Sequence, residues 1–415
     1  MKAPTLETGL KQARVLVCAG TGGVGKTTVA AALGIQAALE GRRTLVITID
    51  PARRLADALG LASIESTPTA IDLLPSESLS ETPAAASLER ATGGRLDAVM
   101  LDPKPTFDRL ITRLTDDLEA QRRILDNRIY RHLSEALAGS AEYAAMEQVH
   151  EFVESGEYDL VVVDTPPSSH ALDFLRAPRR LREFLESRFV KSLVRPAMSA
   201  SRFGFRFFSR PLHRMFSLLE RIAGVGFLDD LSEFLSAIDG LSEGFRDRAT
   251  RIEEVLSGQD TNFVLVCGAV SSSGSGTLEF LEELDSLNVQ LAAVVVNRVR
   301  PWPLLESPGA WRRRCTREMR DRDEAHLRKA FSEQTPESQE VAAQQATSLI
   351  ASLSESARIC EREEESIEAL NARAARRQLR CHLIPELPDN LDRFAGLLEI
   401  GSRLRAPEPT TSGPG

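Results

Sequence analysis

The stretch VLVCAGTGGVGKTTVA, from Val15 to Ala30, constrains the fold more than any other part of the chain. An apolar run that reads as a buried strand enters a glycine-rich turn, and KTTVAAALGIQAALE follows as a helix packed on a sheet. Gly20, Gly22 and Gly25 fit the GxGxxG turn of a dinucleotide fold, with Asp50 loosely placed as a ribose-binding acid. Gly20 to Thr27 also fit the more demanding GxxxxGK[ST], in which a lysine and then a hydroxyl must follow the last glycine. Each position has its own chemistry. Glycines let backbone N–H groups curl around phosphate oxygens, and the helix beginning near Lys26 adds its positive end. Lys26 neutralises β- and γ-phosphates, and Thr27 offers its hydroxyl to magnesium. The lysine and threonine favour ATP or GTP with Mg2+ over a dinucleotide or a chance run of glycines. Gly20, Gly22, Gly23, Val24, Gly25, Lys26, Thr27 and Thr28 are the expected nucleotide-binding residues.

Further strands read as RRTLVITID (Arg42 to Asp50), YDLVVVD (Tyr158 to Asp164), TNFVLVCGAV (Thr261 to Val270) and VQLAAVVVNRV (Val289 to Val299). LRCHLIPELP reads as a last short strand and turn, before a closing helix in DNLDRFAGLLEIGSRL. These runs are almost continuously apolar, as when helices cover both faces of a parallel sheet. The expectation is a doubly wound α/β fold of mostly parallel strands with P-loop architecture and an inserted helical subdomain. Residues 1–180 form the first part of the ATPase domain, and 181–256 the insertion. Residues 257–405 form the second part, with a helical excursion over 311–380, and 406–415 read as a disordered tail. Between the Ser/Thr/Pro-rich residues 63–83 and about Glu157 the reading is mostly helical.

Within the insertion, Phe203, Phe205, Phe207, Phe208, Phe216 and Phe227 interleave with arginines. Arg202, Arg206, Arg210 and Arg214 recur every four residues, which lines one side of a helix that Pro211 should kink or divide. One reading is an amphipathic helix pair with a solvated arginine face. Others are an apolar surface that receives a partner segment whose acidic end the arginines grip, or a membrane-surface contact.

The formal net charge of -9 gives no support to general nucleic-acid binding, although it leaves room for a local basic patch. Five cysteines without a CxxC pair fit a reducing compartment and argue against a structural zinc site made by one chain. The N-terminal residues lack a signal-peptide pattern, and no apolar run approaches the roughly 20 residues that span a bilayer. The expectation is a cytoplasmic protein that is not integral to a membrane.

Asp164 ends its strand near the phosphate loop, where an acid holds magnesium through water or else caps a turn. Asp50 opens DPARRL, where it can orient or deprotonate the attacking water or cap a helix. His170, beside Pro166 and Pro167, reads as a structural or switch-loop histidine rather than a base.

GTGGVGKTT, DPARRLADALG, DTPPSSHALDFL, VVVNRVRP and HLIPELPDNLDRFAGLLEIG together resemble the ArsA-type ATPases. That family includes the arsenite-pump ATPase and the ATPase that targets tail-anchored membrane proteins. The resemblance is strongest to bacterial single-module members and extends to about Arg405. It implies a homodimer that closes across two nucleotides. It also implies water activation by Asp50, a magnesium-side role for Asp164, and a hydrogen bond from Asn297 to adenine. Pro385 and Glu386 would lie in a loop enclosing the base, and the arginine- and phenylalanine-rich block would hold an apolar peptide client or face a membrane-associated partner. Three departures stand out. Thr21 replaces the lysine that reaches across the family's dimer, Arg53 replaces a first-switch histidine, and the family's zinc-binding cysteine pair is absent from the sequence. Arg53 or Arg54 is the expected substitute for the missing charge. Arsenite efflux and a slow or non-enzymatic ATP-gated scaffold are the alternative roles.

Overall fold

The computed structural model describes residues 6–49, 54–73, 93–131, 140–165, 171–186, 227–269, 275–287, 289–314, 317–334, 339–388 and 393–405. Asp50, Arg53, Pro166, Pro167, His170, Cys315 and residues 187–226 lie outside this set.

The first described elements are α1 (Leu6–Gln12), β1 (Val15–Ala19), α2 (Lys26–Leu39), β2 (Arg43–Thr48), α3 (Arg54–Leu59), β3 (Thr69–Ile71) and β4 (Arg95–Met100). They continue as α4 (Pro103–Leu114), α5 (Leu118–Leu125), α6 (Ser140–Ser155), β5 (Leu160–Asp164), α7 (Ala171–Glu186) and α8 (Phe227–Ser257). Next come β6 (Thr261–Gly268), α9 (Ser275–Ser286), β7 (Leu291–Val299), α10 (Pro308–Arg314) and α11 (Arg317–Gln334). The last are α12 (Gln339–Arg376), β8 (Cys381–Pro385) and α13 (Arg393–Arg405).

The described strands make one eight-stranded sheet in the order β3-β4-β2-β5-β1-β6-β7-β8. Every pairing is parallel except β3 with β4. This is the α/β architecture expected from the apolar strands. Side chains alternate across a strand, so each inner strand feeds two cores. Val15, Val17, Val161 and Val163 face the core covered by α4, α6 and α8. Leu16, Cys18, Leu160 and Val162 face the core made with α1, α2 and α13. Both sets are buried, which explains why the sequence shows no polar face. Each fully buried side chain of this kind contributes ~1.5–3 kcal/mol.

The mostly helical reading of the region before Glu157 requires one correction, because RLDAVM forms β4 beside β2, with Arg43 opposite Arg95. Asp97 disguises this strand. It is fully buried, and it accepts hydrogen bonds from Tyr158 Oη at 2.6 Å and Arg95 Nε at 2.8 Å. Those partners offset the loss of hydration that would otherwise exclude a carboxylate from a sheet.

Helix α7 runs continuously through residues 180 and 181, and α8 packs along it and along α5. Helices α11 and α12 form a long pair whose attachment to the sheet is through the β7 and β8 edge. The chain order places β1 between β5 on one side and β6 on the other, so the strand order reverses at β1. Clefts at the carboxyl ends of strands at such a reversal are where open α/β sheets bind ligands.

Candidate active site

Strand β1 delivers the chain into the glycine loop at that reversal. Gly20 has φ 153°, and a Cβ there would fall 1.9 Å from the Val266 carbonyl oxygen of β6. No other residue lets the loop leave β1 so close to its neighbour. At the far end of the loop Gly25 caps α2 with φ 93°, and the cap makes no side-chain hydrogen bond. No acid occupies that turn either. The helix start therefore presents its N–H groups and positive dipole end to whatever enters the loop.

Lys26 is buried, with Nζ 3.0 Å from the Thr21 carbonyl oxygen across the loop. An ammonium carries three donors, and phosphate oxygens are the acceptors that a phosphate-loop lysine serves. Thr27 donates to Asp164 Oδ2 at 2.8 Å, and Thr48 at the end of β2 donates to the same oxygen at 3.0 Å. Asp164 is itself buried at the end of β5. Three adjacent elements, α2, β2 and β5, thus converge on one carboxylate. The next residue, Thr165, donates through Oγ1 to the Cys18 carbonyl at 2.8 Å and locks the exit of β5 to β1. Burial, followed by the nearby Asp164 carboxylate, pushes the Cys18 thiol well above its ordinary range, so it stays protonated and inert.

A cavity of about 520 Å³ opens above the loop. Gly23, Gly25, Lys26, Thr27 and Thr28 form its floor. Arg54 and Asp57 of α3 stand on one wall, and Leu397 and Ile400 of α13 on another. Gly401 lets α13 lie close on α2, because a Cβ there would meet the Gln36 side chain at 2.4 Å. Of the expected residues, the structure brings Gly23, Gly25, Lys26, Thr27 and Thr28 to the cavity, and bonds Asp164 to Thr27. Asn297 lies under the loop, buried, with Nδ2 donating to the Val24 carbonyl at 2.8 Å. Pro385 and Glu386 end and follow β8, and the cavity wall beyond them is made by Leu387 and Pro388. Asp50 follows β2 directly but lies outside the described residues.

Arg298 and the α13 wall are among the contributors not assigned from sequence. Arg298 lines the cavity from a left-handed backbone conformation, φ 58°, where the pairing of β7 with β8 shifts register. The signal was local: an arginine immediately after the asparagine singled out in VVVNRV. The α13 wall is readable from sequence only as a closing helix, because its contact with α2 is a long-range fact.

A glycine loop between β1 and α2, closed by a lysine and threonine and faced by the acid that ends β5, defines a P-loop nucleoside triphosphatase. Residues 13–333 match the family described as anion-transporting ATPase, and the chain belongs to that family. It is an ATPase by that membership. Among characterised relatives, it is 26% identical over 314 residues to ATPase GET3 of Malassezia globosa, covering 75% of this chain and 80% of the relative. It is 27% identical over 292 residues to ATPase get3 of Aspergillus terreus, covering 70% and 74% respectively.

Proposed function

We propose that this ATPase is magnesium-dependent, works as a nucleotide-gated homodimer, and moves an apolar peptide client. The observation that carries the first part is the 2.8 Å bond between Thr27 Oγ1 and Asp164 Oδ2 beside the cavity. A hydroxyl and a carboxylate are hard oxygen donors of the kind magnesium takes, and the ion draws most of its other ligands from water and phosphates. Thr27 would hold the ion, Asp164 would hold its water, and the ion would neutralise charge on the phosphates. In this reading Asp50 orients the attacking water, and Asn297 reads the base with help from Pro385 and Glu386. Arg54, on the cavity wall, supports its proposed role as substitute for the cation that Thr21 cannot supply.

The client role rests on the arginine- and phenylalanine-rich sequence between α7 and α8, within the proposed insertion 181–256. Both flanking helices pack on the ATPase body, so a motion there has a route to the nucleotide site. Among the described residues no helix is long and apolar enough to cross a membrane, and the proposed place of work is the cytoplasm. The test is ATP-dependent capture of an apolar peptide by a hydrolysis-blocked D50N protein. Capture should be lost in an F207D/F216D variant. Unchanged capture would remove the client proposal, and arsenite-stimulated hydrolysis without capture would favour anion efflux.

A further inference from the structure

Asn297 and Val24 are 273 residues apart in sequence, yet the Asn297 amide is bonded to the Val24 carbonyl at 2.8 Å. The approach is close-packed. Asn297 is 5% exposed, and a Cβ on Gly25 would fall 2.3 Å from its Nδ2. The end of β7 is shaped for this contact: the chain turns left-handed at Arg298 and shifts register against β8 between Val296 and Val299.

The bond acts on the peptide unit between Val24 and Gly25. In a planar trans peptide the C=O and the following N–H point in opposite directions. Holding the Val24 oxygen toward Asn297 therefore turns the Gly25 N–H away from Asn297. Gly25 borders the cavity and opens α2, where N–H groups form the phosphate cradle. With the Val24 oxygen released, that peptide can rotate, because the glycine at position 25 imposes little steric restriction.

From this geometry we infer that Asn297 is a positioning residue for the phosphate loop, fixing the Val24–Gly25 peptide in its phosphate-binding orientation whatever base is bound. The inference rests on reading the cavity as the nucleotide site. It is compatible with a base contact, since an amide nitrogen has a second proton and its oxygen can accept.

Inorganic tripolyphosphate has the phosphates of ATP and no base, so it separates the two roles. Its affinity and that of ATP are measured by titration calorimetry, with magnesium, on the full chain and on Asn297→Leu and Asn297→Ala variants. Leucine keeps the shape of asparagine without donor or charge; alanine guards against a leucine misfit. Thermal melting fixes a temperature at which each protein is folded. The expected result is that both variants lose affinity for tripolyphosphate by about tenfold, the scale of one buried hydrogen bond, and lose affinity for ATP by at least that factor. Weakened ATP binding with unchanged tripolyphosphate binding would make Asn297 a base reader only and overturn the inference. Unchanged binding of both would also overturn it. A wild-type protein that binds neither ligand would instead refute the cavity reading on which the inference stands.

Discussion

Thr27 on the first turn of α2 and Asp164 at the end of β5 are joined by a 2.8 Å hydrogen bond, although 137 residues separate them. The pair ties the phosphate loop to the neighbouring strand β5. Thr27→Val removes the hydroxyl while preserving the side-chain shape. ATP turnover should fall about a hundredfold, the range for losing one preorganised group at a charged transition state. The magnesium concentration for half-maximal turnover should rise. A titration of turnover against magnesium checks both, and an unchanged midpoint would separate Thr27 from the ion.

Gly20 should tolerate no side chain. A Cβ would fall 1.9 Å from the Val266 carbonyl oxygen, which belongs to backbone and cannot rotate aside. Gly20→Ala is expected to destabilise the fold by about 3 kcal/mol or more, combining overpacking with backbone strain. It should also abolish nucleotide binding, because the displaced strand exit carries the loop with it. Urea denaturation with and without ATP measures both effects.

The pH dependence of stability should carry a histidine component. Burial, then the nearby Arg248, lowers the His150 pKa below its ordinary 6.5, against an opposing pull from Glu154. Burial and Arg380 lower that of His382 in the same way. The unfolded chain then binds protons that the native chain does not. The stability tied to these groups is full above about pH 6.5 and is lost as pH falls through the depressed native values. Each histidine can add a slope of at most about 1.4 kcal/mol per pH unit in that window. Denaturation midpoints from pH 8 to pH 5 should therefore fall less steeply for H150N and H382N than for the wild type.

Arg54 stands on the cavity wall, where an arginine can neutralise a γ-phosphate. If it supplies the charge missing at Thr21, R54A should lower turnover roughly a thousandfold, the scale of a lost arginine finger, while ATP still binds. The wild-type rate per protomer should rise with protein concentration as dimers form. A variant with wild-type turnover and the same concentration dependence would exclude Arg54 from this role.

The legible parts of the sequence were those in which chemistry and spacing are local. The lysine and threonine after Gly25 distinguish a triphosphate loop from a dinucleotide turn without knowledge of the fold. The apolar runs of β1, β5, β6 and β7 disclose a sheet covered on both faces. Strand β4 was hidden because Asp97 breaks its apolar run, and its burial becomes tolerable through Arg95 in the same strand and Tyr158, which the fold brings from 61 residues away. The family resemblance implies a base contact for Asn297, but its bond to Val24 depends on a register shift that sequence spacing does not reveal. Arg298 and the α13 wall belong to the same class: their place at the cavity is set by strand order and helix packing.

The most direct measurement is steady-state ATP hydrolysis, with magnesium, by the full chain and by its Lys26→Ala variant. Lys26 is buried within the loop and borders the cavity, and alanine leaves the helix start intact. The wild type should hydrolyse ATP, and the variant should lose at least about a hundredfold in turnover while melting as a folded protein. Equal turnover by the two proteins would contradict the assignment of this loop and cavity as the site of ATP hydrolysis.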